Sequence, residues 1–152
     1  MTDGSAGSGA ATADIVFAAD AYERLLGHAR DGAPAEVCGV LGGTTGEDDA
    51  GERRVDAALP VENVADRPRT RYELDPAEQL ERIEAIETEG GDVVGFYHSH
   101  PTGPANPSAT DSAQATWPGA SFVIVDLRDE RVGAWRWTGE TFAAETVRVA
   151  RD

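Results

Sequence analysis

The stretch Gly95-Phe96-Tyr97-His98-Ser99-His100-Pro101-Thr102-Gly103-Pro104-Ala105-Asn106-Pro107-Ser108-Ala109-Thr110-Asp111 (GFYHSHPTGPANPSATD) holds two of the chain's three histidines, one residue apart. Val93 to His98 reads as a strand. Side chains two apart on a strand share a face, so His98 and His100 converge while Ser99 points away. Beyond the proline-rich loop, Ser108 offers an N-cap and Asp111 stands at the third helical position, the spacing of a capping box. Two readings fit. The stretch is either a strand, a turn and a capped helix, or a metal site. In the second reading two imidazoles and the Asp111 carboxylate take three tetrahedral positions and leave one open for water.

Working outward, Ser121 to Leu127 (SFVIVDL) is a nearly continuous apolar strand and therefore central in a sheet. Two further extended runs follow, Val132 to Trp137 and Thr141 to Val149. On the N-terminal side, Asp75-Pro76-Ala77-Glu78 supplies an N-cap, a proline at the first helical position and an acid at the third. Leu80, Ile83 and Ile86 give that helix an apolar face up to Gly90-Gly91. Earlier still, Asp14 to Ala18 suits a first strand. Asp20 and Glu23 have capping-box spacing, and Tyr22, Leu25, Leu26 and Ala29 recur with helical period up to Asp31-Gly32. Glu36 to Gly43 (EVCGVLGG) reads as a strand, Thr44 to Gly51 as an acidic loop, and Arg54 to Val64 as another extended run. Strands and helices mixed in this order predict one α/β domain built on a mixed sheet, residues 14–150, behind a disordered N-terminal tail, residues 1–13.

Composition narrows the function. Among 152 residues, 28 acids stand against 13 bases, all arginine, for a net charge near −15. Such a surface repels nucleic acid and anionic membranes, which are bound through basic contacts. Much of the self-repulsion vanishes in molar salt, where the Debye length is about 3 Å. The balance resembles that of haloarchaeal cytoplasmic proteins. No apolar run is long enough for a transmembrane helix, and the N-terminus lacks the basic and apolar regions of a signal peptide. One cysteine, Cys38, excludes an internal disulfide framework and fits a reducing, cytoplasmic setting. No glycine-rich phosphate-binding motif occurs.

A metal site with one position open to water is suited to hydrolysis, and hydrolysis then needs a general base beside that water. Glu36, following Pro34-Ala35 at the mouth of an apolar strand, is a candidate whose burial would raise its pKa; an ordinary edge-strand acid is the alternative. Cys38 is a candidate nucleophile or extra ligand, though a small thiol in a strand is usually core. His28 reads as a surface residue. Trp135 and Trp137 share a strand face and pack, whereas Trp117 either lines substrate or finishes the core.

PAEVCGVLGG together with HSHPTGPANPSATD resembles the JAMM (MPN-plus) zinc metalloprotease family, whose signature is a distant Glu followed by His-x-His-Pro, six residues and Ser-x-x-Asp. The resemblance spans roughly Ile15 to Val149. It implies a cytidine-deaminase-like mixed β-sheet flanked by helices, with one Zn2+ held by His98, His100 and Asp111. It also implies Glu36 as the acid that takes up and returns a proton, and Ser108 as a hydrogen-bond donor to the reacting oxygen. Its members cleave peptide or isopeptide bonds after the terminal Gly-Gly of ubiquitin-like proteins. With the acidic composition, the resemblance points to archaeal desampylases, which release small archaeal modifier proteins (SAMPs) from lysine conjugates and linear fusions. Modifier contacts are expected along Pro60 to Tyr72. Alternatives are a peptidase that trims the C-terminus of a sulfur-carrier protein, and a metal-free scaffold, which the filled signature disfavours. A zinc deaminase is disfavoured too, because its His-x-Glu and Pro-Cys-x-x-Cys motifs are absent.

Overall fold

Seven strands and two helices are present among the residues that the computed structural model describes, 14–45, 51–107 and 117–150. In chain order they are β1 (Asp14–Phe17), α1 (Ala19–Gly32), β2 (Cys38–Thr44), β3 (Arg53–Val61), α2 (Pro76–Thr88), β4 (Asp92–His100), β5 (Ser121–Asp126), β6 (Arg131–Trp137) and β7 (Phe142–Val149). The sheet is mixed, as expected, and it closes on itself in the order β1-β3-β2-β4-β5-β6-β7. Closure depends on β1, which pairs in parallel with β3 on one side and with β7 on the other. Joining the first strand to the last removes both free edges.

Every residue of β5 is buried, which explains its unbroken apolar run. It lies parallel to β4, with His98 opposite Ile124 and His100 opposite Asp126. On its other side β4 is antiparallel to β2, with Cys38 opposite His98. The β2–β4 register shifts between Leu41, opposite Gly95, and Gly42, opposite Val93, so Val94 is an extra residue. Such a bulge reverses the alternation of faces. Val94 and Tyr97 therefore join one hydrophobic cluster with Phe17, Leu25, Leu41 and Val123, while Val93 and Phe96 pack in a second with Ile86, Phe122 and Trp137. His98 and His100 follow Phe96 on its side of the sheet, and Ser99 follows Tyr97.

Helix α1 supplies Ala21, Leu25 and Ala29 to the first cluster, with Tyr22 and Leu26 partly buried beside it. The expected capping box is absent. Ala18 is the N-cap and has no side-chain cap, and Asp20 lies inside the first turn. The Ala18 amide still bonds to Val55 O as an extension of the strand, while its carbonyl already accepts from Tyr22 N. Helix α2 starts as the sequence indicates, with the Asp75 carboxylate accepting from Glu78 N at 3.2 Å and Pro76 in the first turn. Ile86 is buried and Ile83 partly so, but Leu80 is 56% exposed. Steps of three residues drift about 60° around a helix, so Leu80 is turned well away from the face that holds Ile86. Neither helix is long and apolar enough to cross a membrane. Ser108 and Asp111, with the short helix expected to begin at Ser108, lie outside the described residues, as does the N-terminal segment 1–13.

Candidate metal centre

Three of the residues singled out in the sequence come together at the end of β4. One ligand atom from each of Glu36, His98 and His100 lies within 4.8 Å of the other two. His98 is 1% exposed and Glu36 8%, so two strongly polar groups meet where little water reaches. The Nε2 atoms of His98 and His100 are 3.2 Å apart. Two nitrogens bound about 2.0–2.1 Å from one tetrahedral zinc stand about 3.3–3.4 Å apart, so this spacing suits a shared cation.

The orientation of His100 supports the same conclusion. Its Nδ1 is 2.7 Å from the carbonyl oxygen of Pro104. A carbonyl can only accept, so Nδ1 carries the proton and the neutral ring presents the Nε2 lone pair to the site. The loop between the two residues turns at Gly103, which has φ of +66°. A Cβ there would fall 2.5 Å from Oδ1 of the buried Asp126, which already accepts from the amides of Arg128 and Asp129. Glycine is therefore required where the chain folds back over His100.

On its other side, His98 is stacked on Tyr72, with ring centroids 4.1 Å apart and planes at 16°. Tyr72 is itself buried, and it sits in the 62–74 segment that walls the site. Glu36 precedes β2 instead of beginning it. Its amide donates to Pro68 O at 2.6 Å, and its carbonyl accepts from Asn63 Nδ2 at 2.8 Å. The next residue, Val37, is fixed to the histidine strand by a reciprocal pair. Val37 N donates to Ser99 Oγ at 2.9 Å, and Ser99 N donates to Val37 O at 3.0 Å. The residue between the histidines thus holds the backbone that carries Glu36. The sequence places Ser99 on the far face without a task, and it places Asn63 and Tyr72 only within a stretch expected to contact the modifier, not as supports of Glu36 and His98.

A cavity of about 350 Å³ opens over this cluster, lined by Glu36, Arg69, His100, Pro104 and Asn106. A second, of about 310 Å³, lies beyond Tyr72 among Leu74, Phe96, Trp117 and Phe122. Trp117 is 39% exposed and its ring is 5.2 Å from that of Phe96, so it lines a cleft and does not finish the core. Trp137 packs in the core, and Trp135 uses its indole N–H on Ala105 O.

Cys38 is buried, and burial, reinforced by Glu36 and Glu78, pushes its thiol up to about 12. It donates to Val61 O and is a core thiol. His28 is not a solitary surface residue. Its Nδ1 lies 2.7 Å from the Tyr97 hydroxyl, and burial lowers its pKa against the opposing pull of Asp31. Burial also pushes the Tyr97 hydroxyl well above its ordinary value.

A closed mixed barrel with two helices, and a histidine pair facing a buried glutamate, define a metallopeptidase-type domain. The chain belongs to the prokaryotic homologs of the JAB domain, whose family description matches residues 18–138. It is 52% identical over 139 residues to a desampylase of Haloferax volcanii, covering 89% of this chain and 96% of that one. It is 41% identical over 115 residues to a CysO-cysteine peptidase of Mycobacterium tuberculosis, covering 76% and 75%. Among solved structures, a protein of Desulfitobacterium hafniense superimposes with a TM-score of 0.81 at 30% identity, over 91% of this chain and 94% of the other.

Proposed function

We propose that the protein is a zinc-dependent isopeptidase and peptidase that cleaves after the terminal Gly-Gly of ubiquitin-like small archaeal modifier proteins, acting in the cytoplasm as a desampylase. The observation that carries this reading is the convergence of Glu36, His98 and His100, in a chain 52% identical to a desampylase. In the proposed site His98, His100 and Asp111 would hold Zn2+, and Glu36 would serve as the base. When bound, the ion would supply a Lewis acid and lower the pKa of water.

Each remaining step falls to a residue of this chain. Glu36 takes a proton from the attacking water and passes it to the departing amine. Its place at the cluster is fixed through the Pro68 carbonyl, Asn63 and the Val37–Ser99 pair. Pro104 O keeps the His100 proton on Nδ1. Ser108 donates to the oxygen on which charge develops. The buried walls around His98 limit water, which strengthens each of these interactions.

The test is to incubate zinc-loaded protein, in molar salt, with a modifier joined through its terminal glycine to a lysine, and to weigh the products. Release of both intact components is expected; an uncut conjugate would refute the reading. The resemblance to a CysO-cysteine peptidase favours a second substrate class, a carrier protein bearing one added amino acid. An enzyme that removes only that residue, and leaves the lysine conjugate whole, belongs to it.

A further inference from the structure

The segment Asp66-Arg67-Pro68-Arg69-Thr70-Arg71 concentrates three of the chain's 13 cations in five residues, in a protein of net charge −15. All three arginines are exposed. Among the described residues none of them forms an ion pair, whereas Arg30, Arg54, Arg82, Arg128, Arg136 and Arg148 do. Across residues 66–73 three arginines stand against two acids, Asp66 and Glu73, with Glu36 in the lining of the adjoining cavity, so the segment carries a local excess of one positive charge in an acidic chain.

The loop is shaped and anchored. Arg67 O accepts from Thr70 N at 3.0 Å and from Arg71 N at 2.9 Å, closing one tight turn. That turn is tied directly to the backbone of Glu36, just before β2. Pro68 O accepts from Glu36 N, and the amide of Asn63 bridges Glu36 O and Arg71 O at 2.8 and 3.0 Å. Asn63 Oδ1 accepts from Glu73 N, which fixes the exit of the loop. As a result Arg69 lines the same cavity as Glu36 and His100.

We infer that Arg67, Arg69 and Arg71 form a docking surface for an acidic segment of the protein that carries the scissile Gly-Gly, and the inference rests on the function proposed above. A surface as acidic as this one repels acidic partners at long range. Three arginines on a backbone anchored beside the cleft, with Arg69 in its lining, offset that repulsion and favour the approach that brings a tail to Glu36. Guanidinium groups suit the task because each can bind a carboxylate through two parallel N–H bonds. The contact orients substrate and takes no part in proton transfer. Nucleic acid offers the same sign of charge, but its continuous phosphate backbone meets the surrounding acidic surface along its whole length.

The experiment uses two fluorescein-labelled dodecapeptides that end in Gly-Gly, one with four Asp or Glu residues upstream and one with the isosteric Asn or Gln. A single-stranded oligonucleotide of equal charge is the third probe. Binding to the full chain is read by anisotropy at about 0.5 M and about 2 M KCl, across which screening tightens. The acidic peptide is expected to bind roughly tenfold more tightly than the neutral one at the lower salt, a gap that narrows at the higher. Changing Arg67, Arg69 and Arg71 together to Gln should abolish the gap, while Arg→Lys at the same positions restores part of it. Zinc content and circular dichroism confirm that the variants are folded. Equal binding of the two peptides, binding of neither, a gap that survives the triple variant, or tighter binding of the oligonucleotide would each overturn the inference. Because the readout is binding, it is independent of whether the conjugate is cleaved, and a failed cleavage assay would count against the proposed function alone.

Discussion

Val37 N donates to Ser99 Oγ at 2.9 Å, and Ser99 N returns the bond to Val37 O, so the residue between the two histidines holds the residue after Glu36. One side-chain hydroxyl thereby couples the two halves of the site. Ser99→Ala leaves a buried amide without its acceptor, at a cost of about 1–3 kcal/mol in stability. A shift of Glu36 from its place should lower kcat by about tenfold, the equivalent of 1.4 kcal/mol, with KM little changed. Bound zinc is expected to stay at one per chain. An unaltered kcat in a variant of reduced stability would show that Ser99 serves the fold alone.

Glu36 is close enough to the histidines to be either base or ligand, and one substitution separates the roles. As the base, Glu36→Gln should retain zinc through dialysis while hydrolysis falls by about 10²–10⁴-fold. Loss of zinc together with activity would make Glu36 a ligand. Metal analysis and cleavage assays on the same sample decide between them.

With its thiol pushed up to about 12 by burial, Cys38 remains protonated at neutral pH and is a poor nucleophile. Iodoacetamide at pH 8 should neither label the folded protein nor reduce its activity. A chelator should abolish activity, and added zinc should restore it. Labelling measured by mass, with parallel loss of activity, would contradict the assignment of Cys38 to the core.

The local parts of this site were legible in the sequence, and the parts that hold them together were not. Two histidines on a strand announce a shared face because the period of a strand is two, and Asp75-Pro76 announces a helix start within four residues. The bulge at Val94 has no such local signal. It arises from pairing with β2, and it is why Val93 and Phe96 share a face against simple alternation. Closure of the barrel joins Asp14 to Thr146, a pairing that no window of sequence contains. Asn63, Tyr72 and Ser99 act through bonds or ring contacts to residues 27, 26 and 62 positions away, at Glu36, His98 and Val37. The reading of His28 as a surface residue fails for the same reason, since its partner Tyr97 is on another element.

That pairing gives His28 a pH signature. Burial lowers its folded pKa, partly offset by Asp31, and Tyr97 faces its ring nitrogen. A histidine whose folded pKa is depressed binds protons more readily in the unfolded chain. Its contribution to stability is therefore fully present above the ordinary value near 6.5, and it is lost as pH falls through that value toward the lower folded one. Thermal melts of zinc-free protein should show stability declining from pH 7.5 to pH 5, by less in His28→Gln than in wild type. Equal declines would show that other groups carry the effect.

The end of the sheet that begins β5 contains a second polar cluster, in which no residue has a role in the proposed chemistry. Arg136 donates to Glu145 Oε2 through Nε at 3.1 Å and Nη2 at 2.6 Å, with the two side chains 6% and 0% exposed. Ser121 Oγ donates to the same oxygen at 3.1 Å and accepts from Arg53 Nη1 at 2.9 Å. Arg53 and Ser121 begin β3 and β5, so the cluster joins β3 to the contiguous strands β5, β6 and β7, none of which is its neighbour in the barrel. Removing one partner of such a pair leaves a charge buried without compensation, which costs about 3–5 kcal/mol, whereas removing both costs much less. Glu145→Ala should therefore lower the denaturation midpoint far more than Glu145→Ala combined with Arg136→Met, and zinc binding by protein that remains folded should be unchanged. Denaturant melts of these two variants, of Arg136→Met alone and of wild type measure the coupling. If the double variant were as unstable as the sum of its single changes, the ion pair would contribute nothing of its own to holding β6 against β7.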